Sequence, residues 1–159
     1  CRYRSASGLD LVVGRLTQAG GLTSSQGQRQ AGLQLAGQGF LVKNNPSLGT
    51  VDVAALEQIG QRLVVWSSAR LEALLLPSLK TVGWRFDVRG NPALLRVEAP
   101  ILDSVGQGLH LVRNAGLEVV DLAGLQTVEW GVEVVENNAL GQLVLPLVTW
   151  LGQGFSVQH

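Results

Sequence analysis

Cysteine and methionine are almost wholly missing from this 159-residue chain, which has one cysteine, Cys1, and no methionine. A single thiol cannot form an internal disulfide, so no covalent staple holds the domain together and the redox compartment is left open. Charge is also scarce. Only 15% of residues are charged, with twelve basic against twelve acidic and a formal net charge of zero. No basic stripe is offered to nucleic acid or to an anionic membrane, and neither is expected as a partner. No apolar run reaches the length of a membrane-spanning helix, and no charged-then-apolar signal segment opens the sequence. The lone cysteine and the two histidines, His110 and His159, have no CxxC or HxxxH companions, so no metal and no cofactor is expected. The missing initiator methionine suggests a fragment or a processed product. Cys1 would then be either the lipidated first residue of a mature bacterial lipoprotein or, as expected here, a fragment boundary.

Against these absences stands a hydrophobic fraction of 46%, enough for a packed core. It is laid out with a period of 23 residues. Ile59, Val82, Val105, Val128 and Leu151 are successive anchors, and Gly60, Gly83, Gly106 and Gly152 follow four of them. A fixed period in this range signals a stack of like supersecondary units. One column reads Phe40, Leu63, Phe86, Leu109, Val132, Phe155, and two residues on comes Val42, Val65, Val88, Leu111, Val134, Val157. A spacing of two is the strand period with both residues on one face. Leucine fills positions 48, 71, 94, 117 and 140, and a second spaced pair begins at Val51/Val53 and recurs to Leu143/Leu145.

Residues that break regular structure recur at fixed places between these strands. Ala54, Pro77, Pro100, Ala123 and Pro146 mark one corner, suited by proline's fixed φ. The glycines after the anchors mark a second, read as sites of positive φ. Asn45, Ser68, Asn91, Asn114 and Asn137 mark a third, read as a ladder of amides that satisfy buried backbone groups rather than bind a ligand. The pattern predicts an all-β, parallel, helix-like solenoid of 23-residue rungs over 31–159, with 1–30 as an irregular cap or leader. A leucine-rich-repeat horseshoe is the alternative. The natural chain is expected to continue past His159, and an uncapped last rung would favour end-to-end association.

The run Leu74 to Leu94, LLLPSLKTVGWRFDVRGNPAL, resembles the repeat of receptor L-domain-like proteins, LxLPxLxxVGxxLxVxxNxxL, and the frame recurs at Leu122 to Leu140 with Ala123 and Glu129 in the proline and glycine places. The leucine-rich-repeat elements LxxLxL and Asn are shared, as in LEALLL at 71–76. The resemblance implies a right-handed solenoid, usually extracellular and non-enzymatic. Lacking the disulfides of animal receptors, the chain resembles the bacterial or fungal surface type.

Function is sought where the period leaves residue type free. Between the inward columns of the first strand lie Leu41/Lys43, Val64/Trp66, Asp87/Arg89, His110/Val112, Glu133/Val135 and Ser156/Gln158, expected to form a flat solvent-facing panel. Val64, Trp66, Val112 and Val135 are apolar where solubility does not require it, as at a recognition surface, although strands favour such side chains in any case. Asp87, His110 and Glu133 share one column, with Arg89 beside Asp87. Two rungs place the carboxylates ~9.6 Å apart along the backbone, near the roughly 6.5–9.5 Å used by inverting glycoside hydrolases. The main expectation is therefore a non-enzymatic, extracellular or cell-surface module binding a protein or glycan through Val64, Trp66, Asp87, Arg89, His110, Val112, Glu133 and Val135. A carbohydrate-active β-helix enzyme using Asp87 and Glu133 and a purely structural spacer are the alternatives. Trp84, Trp130 and Trp150 are read either as sugar-stacking rings or as cover for the glycine corners.

Overall fold

Short apolar pairs separated by corner residues leave no stretch long enough for a helix, and each 23-residue period folds into three strands. The computed structural model describes residues 39–158 in full and the backbone of three earlier strands, Arg2–Arg4, Asp10–Val13 and Leu35–Ala36. Most of the segment 1–30, expected to be a cap or leader, lies outside the described residues. No helix occurs among the described residues.

Equivalent strands of successive periods pair in parallel with a register offset of 23 residues, as in Phe86 opposite Leu63 on one side and Leu109 on the other. The result is a parallel β-solenoid of about five turns with three sheets. The front sheet contains Gly39–Lys43, Arg62–Trp66, Phe86–Arg89, Gly108–Val112, Gly131–Val135 and Gly154–Gln158. Asp10–Val13 adds to it antiparallel to Gly39–Lys43, and Arg2–Arg4 pairs antiparallel with Asp10–Val13. A second sheet stacks Thr50–Asp52, Ala73–Leu75, Arg96–Glu98, Val119–Asp121 and Gln142–Val144. The third runs from Leu35–Ala36 to Trp150–Leu151 and is built of two-residue strands.

The inward columns converge on one axial core, in which Phe40, Leu63, Phe86, Leu109, the leucines at 71, 94 and 117 and the anchors Val82, Val105 and Val128 are all nearly or fully buried. Each such side chain contributes on the order of 1.5–3 kcal/mol by leaving water. Two corners are hydrogen-bonded β-turns. Leu79, Leu102 and Leu125 donate their N–H to the carbonyls of Leu76, Ala99 and Leu122 across the proline/alanine column, at 3.2, 3.1 and 3.0 Å. Leu94 and Leu117 likewise donate to Asn91 and Asn114, at 3.1 and 2.9 Å.

The third corner corrects one expectation. Gly60, Gly83, Gly106 and Gly152 are not at positive φ. At three of them the rungs approach too closely for a side chain: a Cβ on Gly83 would collide with the Gly60 carbonyl, one on Gly106 with the Gly83 carbonyl and one on Gly152 with the Glu129 carbonyl. Positive φ falls elsewhere, at Asn44, Ser67, Gly90, Arg113 and Glu136, one residue before each rung of the asparagine ladder, with values of 53–63°, and at Gly154 with 131°.

The ladder works as expected over three rungs. The Asn91, Asn114 and Asn137 side chains accept the backbone N–H of Ser68, Asn91 and Asn114 at 3.0–3.1 Å, and their amides donate to Val65, Val88 and Leu111 carbonyls. It fails at its start. Ser68 is too short to continue the chain of amides, and the buried side-chain groups of Asn45 and Ser68 have no hydrogen-bond partner among the described residues.

Candidate functional site

Strand alternation turns three columns of the front sheet outward, and their side chains meet across rungs about 4.8 Å apart. The eight residues singled out from the sequence all lie on this sheet, but they do not form one flat panel. Asp87 is only 5% exposed. Arg89, two residues on and therefore on the same face, folds over it. Its Nε donates to Asp87 Oδ1 at 2.7 Å and Nη2 donates to Oδ2. This bidentate pairing raises the pKa of Arg89 above its usual value, against the opposing effect of burial, with a further pull from Glu133. Asp87 is thus covered rather than solvent-facing, contrary to the expectation from the alternating pattern.

One rung away His110 Nδ1 lies 2.8 Å from Glu133 Oε2. The carboxylate accepts from this nitrogen, which fixes the ring and leaves Nε2 directed across Gly108, where a Cβ would collide with it. The two acids proposed as a separated pair are therefore each engaged by a basic side chain. Trp66 is 45% exposed, with the Lys43 ammonium 5.8 Å from its ring centroid. Such an exposed cation–π contact contributes about 0.5–1 kcal/mol. Val64, Val112 and Val135 are half-buried beside these groups.

A shallow hollow in the sheet involves residues the sequence reading passed over. The outward column two residues before Asp87 and His110 runs Arg62, Arg85, Gly108, Gly131, Gly154. Three stacked glycines leave a trough in the surface, an open hollow of about 530 Å³. His110, Glu133 and Ser156 wall one side, Trp130 and Gln153 the other, and Arg85 also lines it. Trp130 stands 48% exposed at this margin. Arg85 has no ion-pair partner among the described residues. Extending the two-residue strand period one step toward the N-terminus reveals the glycine column at Gly108, Gly131 and Gly154.

No group of three or more His, Cys, Asp or Glu side chains is placed to hold a metal ion among the described residues, and no helix there is long and apolar enough to cross a membrane. The fold and this surface define a parallel β-solenoid bearing an aromatic-edged trough on its longest sheet. No protein-family profile, characterised protein or solved structure matches the chain.

Proposed function

We propose that the chain is a non-enzymatic binding or adhesion module, extracellular or at a cell surface, that recognises a glycan or protein through the front sheet. The observation that carries this reading is the glycine-floored trough with exposed Trp130 at its margin and exposed Trp66 on the same sheet. Tryptophan offers large contact area at low entropy cost, and rings standing nearly half exposed on a rigid sheet are a preferred recognition chemistry. The likeness of the repeat to receptor L-domain-like proteins of the bacterial or fungal surface type supports the same reading and the extracellular setting.

The alternative of a polysaccharide-cleaving enzyme draws less support. A general acid and a general base need carboxyls free to exchange protons with substrate and water. Asp87 is buried under Arg89, and Glu133 is held by His110.

The test is capture of purified cell-wall polysaccharides and surface glycoproteins by the immobilised protein. Trp66 and Trp130 are exposed, so the double variant Trp66→Ala/Trp130→Ala should keep its circular dichroism spectrum. Capture should fall about tenfold or more, equivalent to on the order of 1.4 kcal/mol. Equal capture by both proteins would sink the binding reading and leave the spacer.

A further inference from the structure

The trough differs from the rest of the front sheet in one way that selects a ligand. Its floor is bare main chain, paired in parallel at Gly108–Gly131 and Gly131–Gly154, and only Gly154, on the last described strand, borders an open sheet edge. A peptide laid across the strands over Gly108 and Gly131 would find no backbone partners, since β-augmentation requires a free sheet edge, and here that edge lies only beyond Gly154. Recognition must come from the walls. Those walls supply an indole at Trp130, an imidazole nitrogen at His110 Nε2 aimed across the floor, the amide of Gln153, the hydroxyl of Ser156 and the guanidinium of Arg85.

Resting on the reading of this sheet as a recognition surface, we propose that the trough is a subsite for a hexuronate-containing oligosaccharide. A pyranose ring has an apolar face for the indole, hydroxyls that both donate and accept for His110 Nε2, Gln153 and Ser156, and, in a uronic acid, a carboxylate. Arg85 is the complement of that carboxylate. Its guanidinium carries a planar fork matched to two oxygens and has no acidic partner among the described residues.

The one acid in the walls does not oppose this placement. Glu133 lies two rungs from Arg85, ~9.6 Å along the stack, and its charge is engaged by His110. Along the axis the trough and Arg85 together extend ~14 Å, three rung steps, room for a di- or trisaccharide whose charged ring sits at the Arg85 end.

The experiment is isothermal titration of the 159-residue protein with tetragalacturonate and with tetramannuronate, each alongside its methyl ester. Binding of at least one acid form is expected, with esterification weakening it tenfold or more. Arg85→Gln should weaken the acid form by a similar factor and leave the ester unaffected, so that the two losses do not add. Trp130→Ala should weaken both forms. Absence of binding to either uronate, equal binding of acid and ester, or stronger binding of an oligoglutamate peptide would each overturn the proposal. Of these, equal binding of acid and ester would leave the wider glycan-binding reading standing, because that reading fails only if removal of Trp66 and Trp130 leaves capture unchanged. The ester arm needs no variant and so does not depend on how Arg85→Gln folds.

Discussion

Ser68 is where a single side chain departs from its column with a visible consequence. Asn91, Asn114 and Asn137 each join two rungs by accepting a backbone N–H and donating an amide hydrogen, whereas a serine hydroxyl cannot span the same gap. The Asn45 amide and the Ser68 hydroxyl are left buried and unpartnered. Burying a polar group without a partner costs more than a hydrogen bond gains, so restoring the ladder should help. Ser68→Asn is expected to raise unfolding free energy by about 1 kcal/mol, read as a higher urea midpoint at unchanged slope. A lower midpoint would mean that the asparagine cannot be seated there. A neighbouring column makes a related point about what residue type conceals. Asn44, Ser67, Gly90, Arg113 and Glu136 all adopt left-handed backbone, yet they share no chemistry. Only Gly90, and to a lesser degree Asn44, suits that conformation intrinsically.

Strands and corners were legible from sequence to the extent that a column has one cause. Inward columns are apolar because they are buried, and their spacing of two gave strand, face and register together. The proline/alanine corner was read correctly for the same reason. The glycine corner was placed correctly and explained wrongly, because glycine answers two needs that look alike in a sequence, unusual φ and close approach. Substitution separates them. Gly106→Ala would drive a Cβ into the carbonyl of the rung below and is expected to destabilise by about 1–3 kcal/mol, as overpacking does. Gly49→Ala meets nothing within 4 Å and is not at positive φ, so it should be neutral or stabilising by up to about 1 kcal/mol. Equal effects of the two in urea titrations would contradict this assignment. The outward columns were less legible. That Arg89 covers Asp87 depends on which neighbour a long side chain chooses, and the trough is made of side chains that are not there.

At the scale of the molecule, each rung is stabilised chiefly by the rungs on either side of it. The last described rung has only one. Phe155 and Val157 are 50% and 41% exposed, whereas Phe86 and Val88 in the same columns are fully buried. Leu147 and Trp150 add further apolar surface at this end, and Gly154–Gln158 is an edge strand of the front sheet. Contiguous apolar surface beside an unpaired strand edge invites association. The 159-residue chain should therefore show concentration-dependent self-association in sedimentation velocity, reduced by the double change Phe155→Lys/Val157→Lys. A monomer across the whole concentration range would show that this end is protected by other means.

The cross-rung pairing also governs how such a protein can change in length. Lys80 meets Glu57, Gln126 meets Asp103, Arg113 meets Glu136 and His110 meets Glu133, each across one 23-residue step. Insertion of one whole unit would keep every later column in phase with its neighbour, whereas insertion of a few residues within a rung would put each later column out of phase. Growth of the front sheet is in this sense quantised. A longer trough comes only as an additional complete turn, and a ligand built of repeating sugars would meet that turn as one more copy of the same sheet step.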